Sequence, residues 1–253
     1  MEMLQSLQWA AMGTLFTFGM TALGAALVFF LPKAPKSHAQ RAMLGFAAGV
    51  MTAASVWSLL LPAIQRSECL GIPAWLPAAV GMLAGAVFLA VIEEGLTRIE
   101  RRGTARDRRQ SALLMTAITL HNIPEGMAVG LAFALAAKGE GLAAAVALAL
   151  GIGLQNFPEG AAVALPMVQE GRGKAPAFWR GVASGAVEPL FGVGVVLCAA
   201  AAEQLMPWLL SFAAGAMLYV VVEELVPQAQ SSSGTCGFVG GFLVMMVLDV
   251  ALG

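Results

Sequence analysis

Charge is what this sequence has least of. Asp, Glu, Lys and Arg together make up 11% of the 253 residues, against 59% hydrophobic residues. Soluble domains carry about 25% charged and roughly 45–50% apolar residues. The shortage therefore excludes a soluble globular domain and points to an integral membrane protein. Cysteines are only three, Cys69, Cys198 and Cys236, with no CxxC spacing. That argues against a thiolate zinc site or a disulfide framework, and the three read as small apolar packing residues. There are two histidines, His38 and His121. His38, in a basic loop, reads as a surface residue, and no His-Glu-x-x-His motif or serine–histidine pair is present. Basic runs interleaved with aromatics are also missing, which excludes nucleic acid as a partner. The start, Met1-Glu2-Met3, lacks a basic n-region. The apolar run behind it is too long for a signal-peptide core, so it reads as a retained helix.

What is present is a succession of nearly uncharged stretches. They predict helices at about 9–31, 42–64, 73–96, 111–137, 141–169, 175–202, 207–227 and 234–252. Each is long enough to cross a hydrocarbon core of ~30 Å at ~1.5 Å per residue. The expected fold is an all-α integral membrane protein, a single transmembrane domain over 1–253 with eight transmembrane helices in the lipid bilayer. Residues 97–110 form its one long polar loop. Of the 14 basic residues, all but Arg66 and Lys138 fall in three loops. Lys33, Lys36 and Arg41 lie between helices 1 and 2. Arg98, Arg101, Arg102, Arg106, Arg108 and Arg109 lie between helices 3 and 4, and Arg172, Lys174 and Arg180 between helices 5 and 6. The positive-inside rule places these loops in the cytoplasm and both termini outside. Trp9, Trp75 and Trp208 then sit near outer helix ends, where an aromatic belt belongs.

The chain also repeats itself. Phe46-Ala47-Ala48-Gly49-Val50-Met51 opens helix 2, and Phe212-Ala213-Ala214-Gly215-Ala216-Met217 opens helix 7. His121-Asn122-Ile123-Pro124-Glu125-Gly126 in helix 4 is echoed by Gln155-Asn156-Phe157-Pro158-Glu159-Gly160 in helix 5. In the topology above, the members of each pair run in opposite directions. Weak repeats of opposite direction mark inverted-repeat transporters, whose substrate site lies near the midplane.

Three glutamates, Glu125, Glu159 and Glu188, fall at or near helix centres with no intramembrane Lys or Arg to pair with. Each ionised side chain at that depth costs about 2.5–3.5 kcal/mol, on the order of 8–10 kcal/mol for three. A divalent cation removes that cost. His121 and Glu125 are one helical turn apart on one face, as are Gln155 and Glu159. Asn122 and Asn156 stand three residues before the same glutamates, on a face turned toward Glu188. The glutamates belong to both sets and can bridge two ions at the ~3.5–4 Å of two-metal sites. The ligand set lacks thiolate and suits Zn²⁺, Fe²⁺, Mn²⁺, Co²⁺ or Cd²⁺. Pro124 and Pro158 cannot donate to the carbonyls of Leu120 and Leu154, which frees a backbone oxygen in each helix. Glu93 and Glu94, like Glu223 and Glu224, lie near inner helix ends, either solvated at the interface or forming an exit station. Asp249 is expected to be solvated at the outer end of helix 8. Ser55 and Ser58 either bond to their own helix or line an entrance.

At these motifs, together with Ser184-Gly185-Ala186-Val187-Glu188-Pro189, the chain resembles the Zrt/Irt-like protein (ZIP) family, its bacterial GufA-like branch in particular. The resemblance implies import of divalent metal into the cytoplasm across a cell membrane, the inner membrane in bacteria. It implies a 3+2+3 arrangement in which helices 1–3 and 6–8 form inverted repeats. It implies a binuclear site, with one ion on His121, Glu125, Gln155 and Glu159. The second ion would lie on Asn122, Glu125, Asn156, Glu159 and Glu188. Glu224, with Glu223, matches positions tied to metal release. Helices 1, 4, 5 and 6 would slide against 2, 3, 7 and 8 within a homodimer. The metal is substrate; no cofactor and no catalytic residue are expected. Gln155 stands where many members have His, and the loop between helices 3 and 4 lacks the family's histidines. The rival readings are an intramembrane metal-dependent hydrolase, a transporter of another cation, an exporter and a metal-sensing receptor.

Overall fold

Inside a bilayer every backbone N–H and C=O must find its partner within the protein, which leaves helices or closed barrels. In the computed structural model, which describes residues 2–30, 37–101, 106–139, 141–169, 171–201 and 203–252, all regular elements among the described residues are helical. We number the long helices α1 (Glu2–Phe30), α2 (37–69), α3 (Trp75–Arg101), α4 (Arg106–Ala137), α5 (Leu142–Gln169), α6 (174–201), α7 (206–229) and α8 (Ser232–Leu252). Seven of them, all but α4, contain described stretches long and apolar enough to span a membrane. In α4 the polar residues His121, Asn122 and Glu125 interrupt the apolar run. Lys33, Lys36 and Arg102, part of the orientation argument, lie outside the described residues, as do the side chains of Arg101, Arg106, Arg108 and Arg109.

Three helices carry local breaks. In α6 the segment Lys174–Gly185 gives way to Val187–Ala201. Pro189 cannot donate to the carbonyl of Gly185, and Ala186 N bonds Ala183 O, three residues back, at 3.3 Å. Glu188 therefore sits just beyond the break. A π-helical turn occupies Ser55–Leu60 in α2 and another Val221–Leu225 in α7, each just ahead of a proline, Pro62 or Pro227. Both π turns begin nine residues after the phenylalanine that opens the repeated hexapeptide.

The packing is pairwise. α1 lies along α5, α4 along α6, α2 along α8 and α3 along α7. Exchanging α1 with α6, α2 with α7, α3 with α8 and α4 with α5 converts each pair into another. The close contacts obey the same exchange. A Cβ on Gly241 of α8 would strike the carbonyl of Phe46, and one on Gly85 of α3 would strike that of Phe212. Small residues at such crossings let membrane helices approach backbone to backbone. Met51, Leu59, Leu131, Leu148, Ile152 and Met217 fill the apolar interior. Outer faces of α3 and α8 present Leu83, Val87, Val91, Val247 and Val250, a surface suited to lipid. The cysteines depart from the sequence reading. All three are free and lie on exposed helix faces instead of packing inside.

Candidate metal site

The paired motifs meet at the centre, where α4 and α5 are flanked by α1 and α6. His121, Asn122, Glu125, Gln155, Asn156, Glu159 and Glu188 are all buried. Both helices continue through Pro124 and Pro158. The glycine that closes each motif makes the crossing possible. A Cβ on Gly126 would meet the backbone of Glu188 in α6, and one on Gly160 the backbone of Thr21 in α1.

Hydrogen bonds then order the side chains. Gln155 Nε2 donates to Glu125 Oε1 at 2.6 Å. Asn156 Nδ2 donates to Glu188 Oε2 at 3.0 Å and lies 3.3 Å from the carbonyl of Thr17. Asn122 Nδ2 donates to the carbonyl of Ser184 at 2.8 Å. Thr21 Oγ1 donates to Glu188 Oε1 at 3.1 Å. Each of the three amides thus has an N–H engaged, which turns its oxygen the other way. His121 Nδ1, Asn122 Oδ1, Glu125 Oε2, Gln155 Oε1, Asn156 Oδ1 and both oxygens of Glu159 are buried without a hydrogen-bond partner. Buried polar atoms are normally paired, and each exception costs about 1–3 kcal/mol. Six unpartnered oxygens and one imidazole nitrogen, gathered on α4 and α5, form a site whose chemistry fits a cation.

Among the described residues, no three His, Cys, Asp or Glu side chains alone form a metal-holding cluster. The amide oxygens of Asn122, Gln155 and Asn156 are what complete the donor set. Sequence reasoning missed α1. Thr17 and Thr21 are fully buried and bonded into the site, yet threonines in an apolar helix carry no signal of their own beyond their four-residue spacing.

A pocket lies on either side of this centre. One is narrow, about 10 Å³ of free space, and is lined by Glu93, His121, Tyr219 and Glu224. Tyr219 Oη donates to Glu93 Oε2 at 3.0 Å, and Gln228 Nε2 to Glu224 Oε2 at 3.0 Å. Glu223 and Glu94 are exposed instead, and Glu94 pairs with Arg98 at 2.6 Å. The other pocket is a cavity of about 330 Å³ between α2, α4, α5 and α8, lined in part by Ser58, Gln65 and Asp249. Asp249, expected to be solvated, is only 8% exposed and accepts a 2.7 Å hydrogen bond from Ser58 Oγ. Packing of α8 against α2 draws it inward. Ser55 bonds within its own helix, to Met51 O at 2.7 Å. Ser58 stands to the hexapeptide of α2 as Glu224 stands to that of α7, and Asp249 stands to Gly241 as Glu93 stands to Gly85. The two pockets are therefore counterparts under the helix exchange. Along α4 the step from His121 to Ala132 separates them, a rise of about 16 Å, with Glu125 between them.

A family model described as the ZIP zinc transporter matches residues 100–249, which include every one of these central residues except those of α1. The chain is 38% identical to the zinc transporter ZIP11 of Xenopus tropicalis, over 96% of either protein. It is 36% identical to the zinc transporter GufA of Myxococcus xanthus, over 92% of this chain and 94% of that one. To the zinc transporter ZIPB of Bordetella bronchiseptica it is 37% identical, over 97% of this chain and 82% of that one. With its spanning helices, its doubled motif and end-to-end relatives that are transporters and not enzymes, this multi-span membrane protein belongs to the ZIP zinc transporter family.

Proposed function

We propose that the chain imports Zn²⁺ into the cytoplasm through its central site by alternating access, with Fe²⁺, Mn²⁺, Co²⁺ and Cd²⁺ as further substrates. The observation that carries this reading is the cluster of seven buried polar atoms, six oxygens and an imidazole nitrogen, that have no hydrogen-bond partner. It supports two ion positions that share Glu125 and Glu159. His121 and Gln155 complete the first, and Asn122, Asn156 and Glu188 the second. Glu125 Oε2 and Gln155 Oε1 are free even while Gln155 Nε2 holds Glu125 Oε1, so a ligand role needs no bond to break. The donor set is nitrogen and oxygen without thiolate, which suits borderline divalent ions and does not select sharply among them.

The counterpart pockets give the ion a route. Ser58 and Asp249 mark the outer approach, and Glu93 with Glu224 the inner departure, His121 lining the inner pocket itself. The loop arginines and lysines favour both termini outside a bacterial inner membrane. The pairing of α1 with α5 and α4 with α6, set against α2 with α8 and α3 with α7, is the division expected of a bundle that moves against a frame in each half of a homodimer.

The test is metal uptake into proteoliposomes that hold purified protein and a trapped divalent-sensitive dye. Zn²⁺, Fe²⁺, Mn²⁺ and Cd²⁺ are compared with empty liposomes and with Glu125→Ala. Saturable uptake that is lost in the variant is the expected result. Well-folded protein that admits none of these ions would refute the reading.

A further inference from the structure

Thr21 is the counterpart of Glu188. The exchange that pairs α1 with α6 and α4 with α5 rests here on two independent contacts. Gly126 of α4 abuts the backbone of Glu188, and Gly160 of α5 abuts the backbone of Thr21. Asn122 donates to the carbonyl of Ser184, four residues before Glu188, and Asn156 reaches the carbonyl of Thr17, four residues before Thr21. One half of the molecule thus places a carboxylate at this position, and the other half a hydroxyl. The two meet, since Thr21 Oγ1 donates to Glu188 Oε1 at 3.1 Å.

The surroundings of Thr21 fix that hydroxyl. Its backbone is pressed against Gly160, and its Cβ and Cγ2 lie about 3.0 Å from where a Cβ on Gly185 would be. Thr21 is fully buried, wedged between α5 and α6 by two glycines. A β-branched side chain has few rotamers to choose from, and such a wedge leaves fewer. Glu188 is consequently held at both ends, Oε1 by α1 and Oε2 by Asn156 of α5. It is the one central carboxylate with neither oxygen unpartnered.

We infer that Thr21 is a positioning residue for the metal site. Its hydroxyl fixes the rotation of the Glu188 carboxylate, so that the second ion position is assembled before the ion arrives, and it ties α1 to α6 across the site. This inference rests on the transport reading above. A carboxylate left to rotate pays the ordering cost at binding, so removal of the hydroxyl weakens affinity for the ion more than it slows the movement that follows.

The experiment compares wild type, T21V, T21S, E188Q and T21V/E188Q. Zn²⁺ binding is followed by calorimetry on the purified proteins, and Zn²⁺ uptake in proteoliposomes. Valine keeps the shape and removes the donor; serine keeps the donor. The expected result for T21V is a roughly tenfold weaker Kd and a matching rise in KM, as for loss of a hydrogen bond to a charged group, with the maximal rate much less affected. T21S stays near wild type, and T21V adds nothing in the E188Q background. T21V that matches wild type overturns the inference. So does T21S as impaired as T21V, and so does a T21V effect of equal size with and without Glu188. Wild-type protein that neither binds nor takes up Zn²⁺ overturns the transport reading and this inference together, whereas wild-type uptake with an unaffected T21V overturns this inference alone.

Discussion

The two copies of Asn-x-Pro-Glu-Gly are nearly the same in sequence and are not the same in place. On α4, Glu125 has one oxygen held by Gln155 and one free; on α5, Glu159 has both free. Asn122 spends its N–H group on a neighbouring backbone carbonyl, while Asn156 divides its own between such a carbonyl and Glu188. The position before the asparagine also differs. His121 lines the small pocket with Glu93 and Glu224, whereas Gln155 turns to Glu125. The repeat sets out the same atoms twice, and the neighbouring helices assign them different tasks. The frame is symmetric and the site is not, because Gln155 stands opposite His121 within the motif and Thr21 opposite Glu188 outside it.

Four measurements can break or sharpen that contrast. The largest effect is expected at the glutamates, where asymmetry ought to vanish because both bridge the two proposed ion positions. Glu125→Gln and Glu159→Gln should each reduce Zn²⁺ uptake to the level of empty liposomes, and substantial uptake by either variant would undo the shared-bridge assignment. Next come the motif glycines. Gly126→Ala and Gly160→Ala each force a methyl group into opposing backbone, at about 1–3 kcal/mol of overpacking. Thermal unfolding in detergent should fall for both by similar amounts; a neutral result at either crossing would mean that the helices stand further apart there.

The asparagines should differ in degree. Asn156→Ala removes a donor from a carboxylate, worth about 1.5–3 kcal/mol, and Asn122→Ala a donor from a neutral carbonyl, nearer 1 kcal/mol. Both variants also delete a proposed ligand oxygen, a loss common to the two, so calorimetric Zn²⁺ affinity should drop by roughly severalfold more for the first than for the second. Equal losses would show that the extra bond to Glu188 contributes nothing. The smallest change is predicted for Gln155→His, which makes the motifs alike. It replaces an oxygen donor by nitrogen and should shift the ratio of Zn²⁺ to Mn²⁺ uptake severalfold toward Zn²⁺. An unchanged ratio would count against Gln155 as a ligand.

Much of this architecture was legible in the residues. Long uncharged runs in a chain poor in charge can hardly be anything but membrane helices, and the doubled Asn-x-Pro-Glu-Gly identified α4 and α5 as the centre. Glu188 stood out because a glutamate without a basic partner is rare at that depth. What stayed hidden depended on helix faces and on contacts between distant segments. Thr17 and Thr21 are ordinary residues in an apolar run until α1 is laid against α5 and α6. Asp249, three or four residues from the end of α8, reads as solvated because position along a helix says nothing of which way it faces. The cysteines failed the same way, since small size suits an interior and a lipid-facing surface equally. Glu223 and Glu224 are adjacent in the chain, yet only Glu224 reaches the pocket with His121.

The π turns at Ser55–Leu60 and Val221–Leu225 have a consequence for how the two halves are compared and recombined. Such a turn takes in one more residue than an α turn without a matching advance along the axis. Everything beyond it is displaced in phase by about 100°. Ser58 and Glu224 lie within these turns, and so their direction is set by an insertion and not by the heptad phase of the hexapeptide before them. A chimera that splices α2 into the place of α7 must carry the nine-residue interval and the wide turn intact. Deleting a single residue inside either turn would restore a regular helix and rotate Ser58 away from Asp249, or Glu224 away from His121, without touching a side chain in the centre. The halves thus share an irregularity of backbone, at the same interval from the hexapeptide, where their side chains differ.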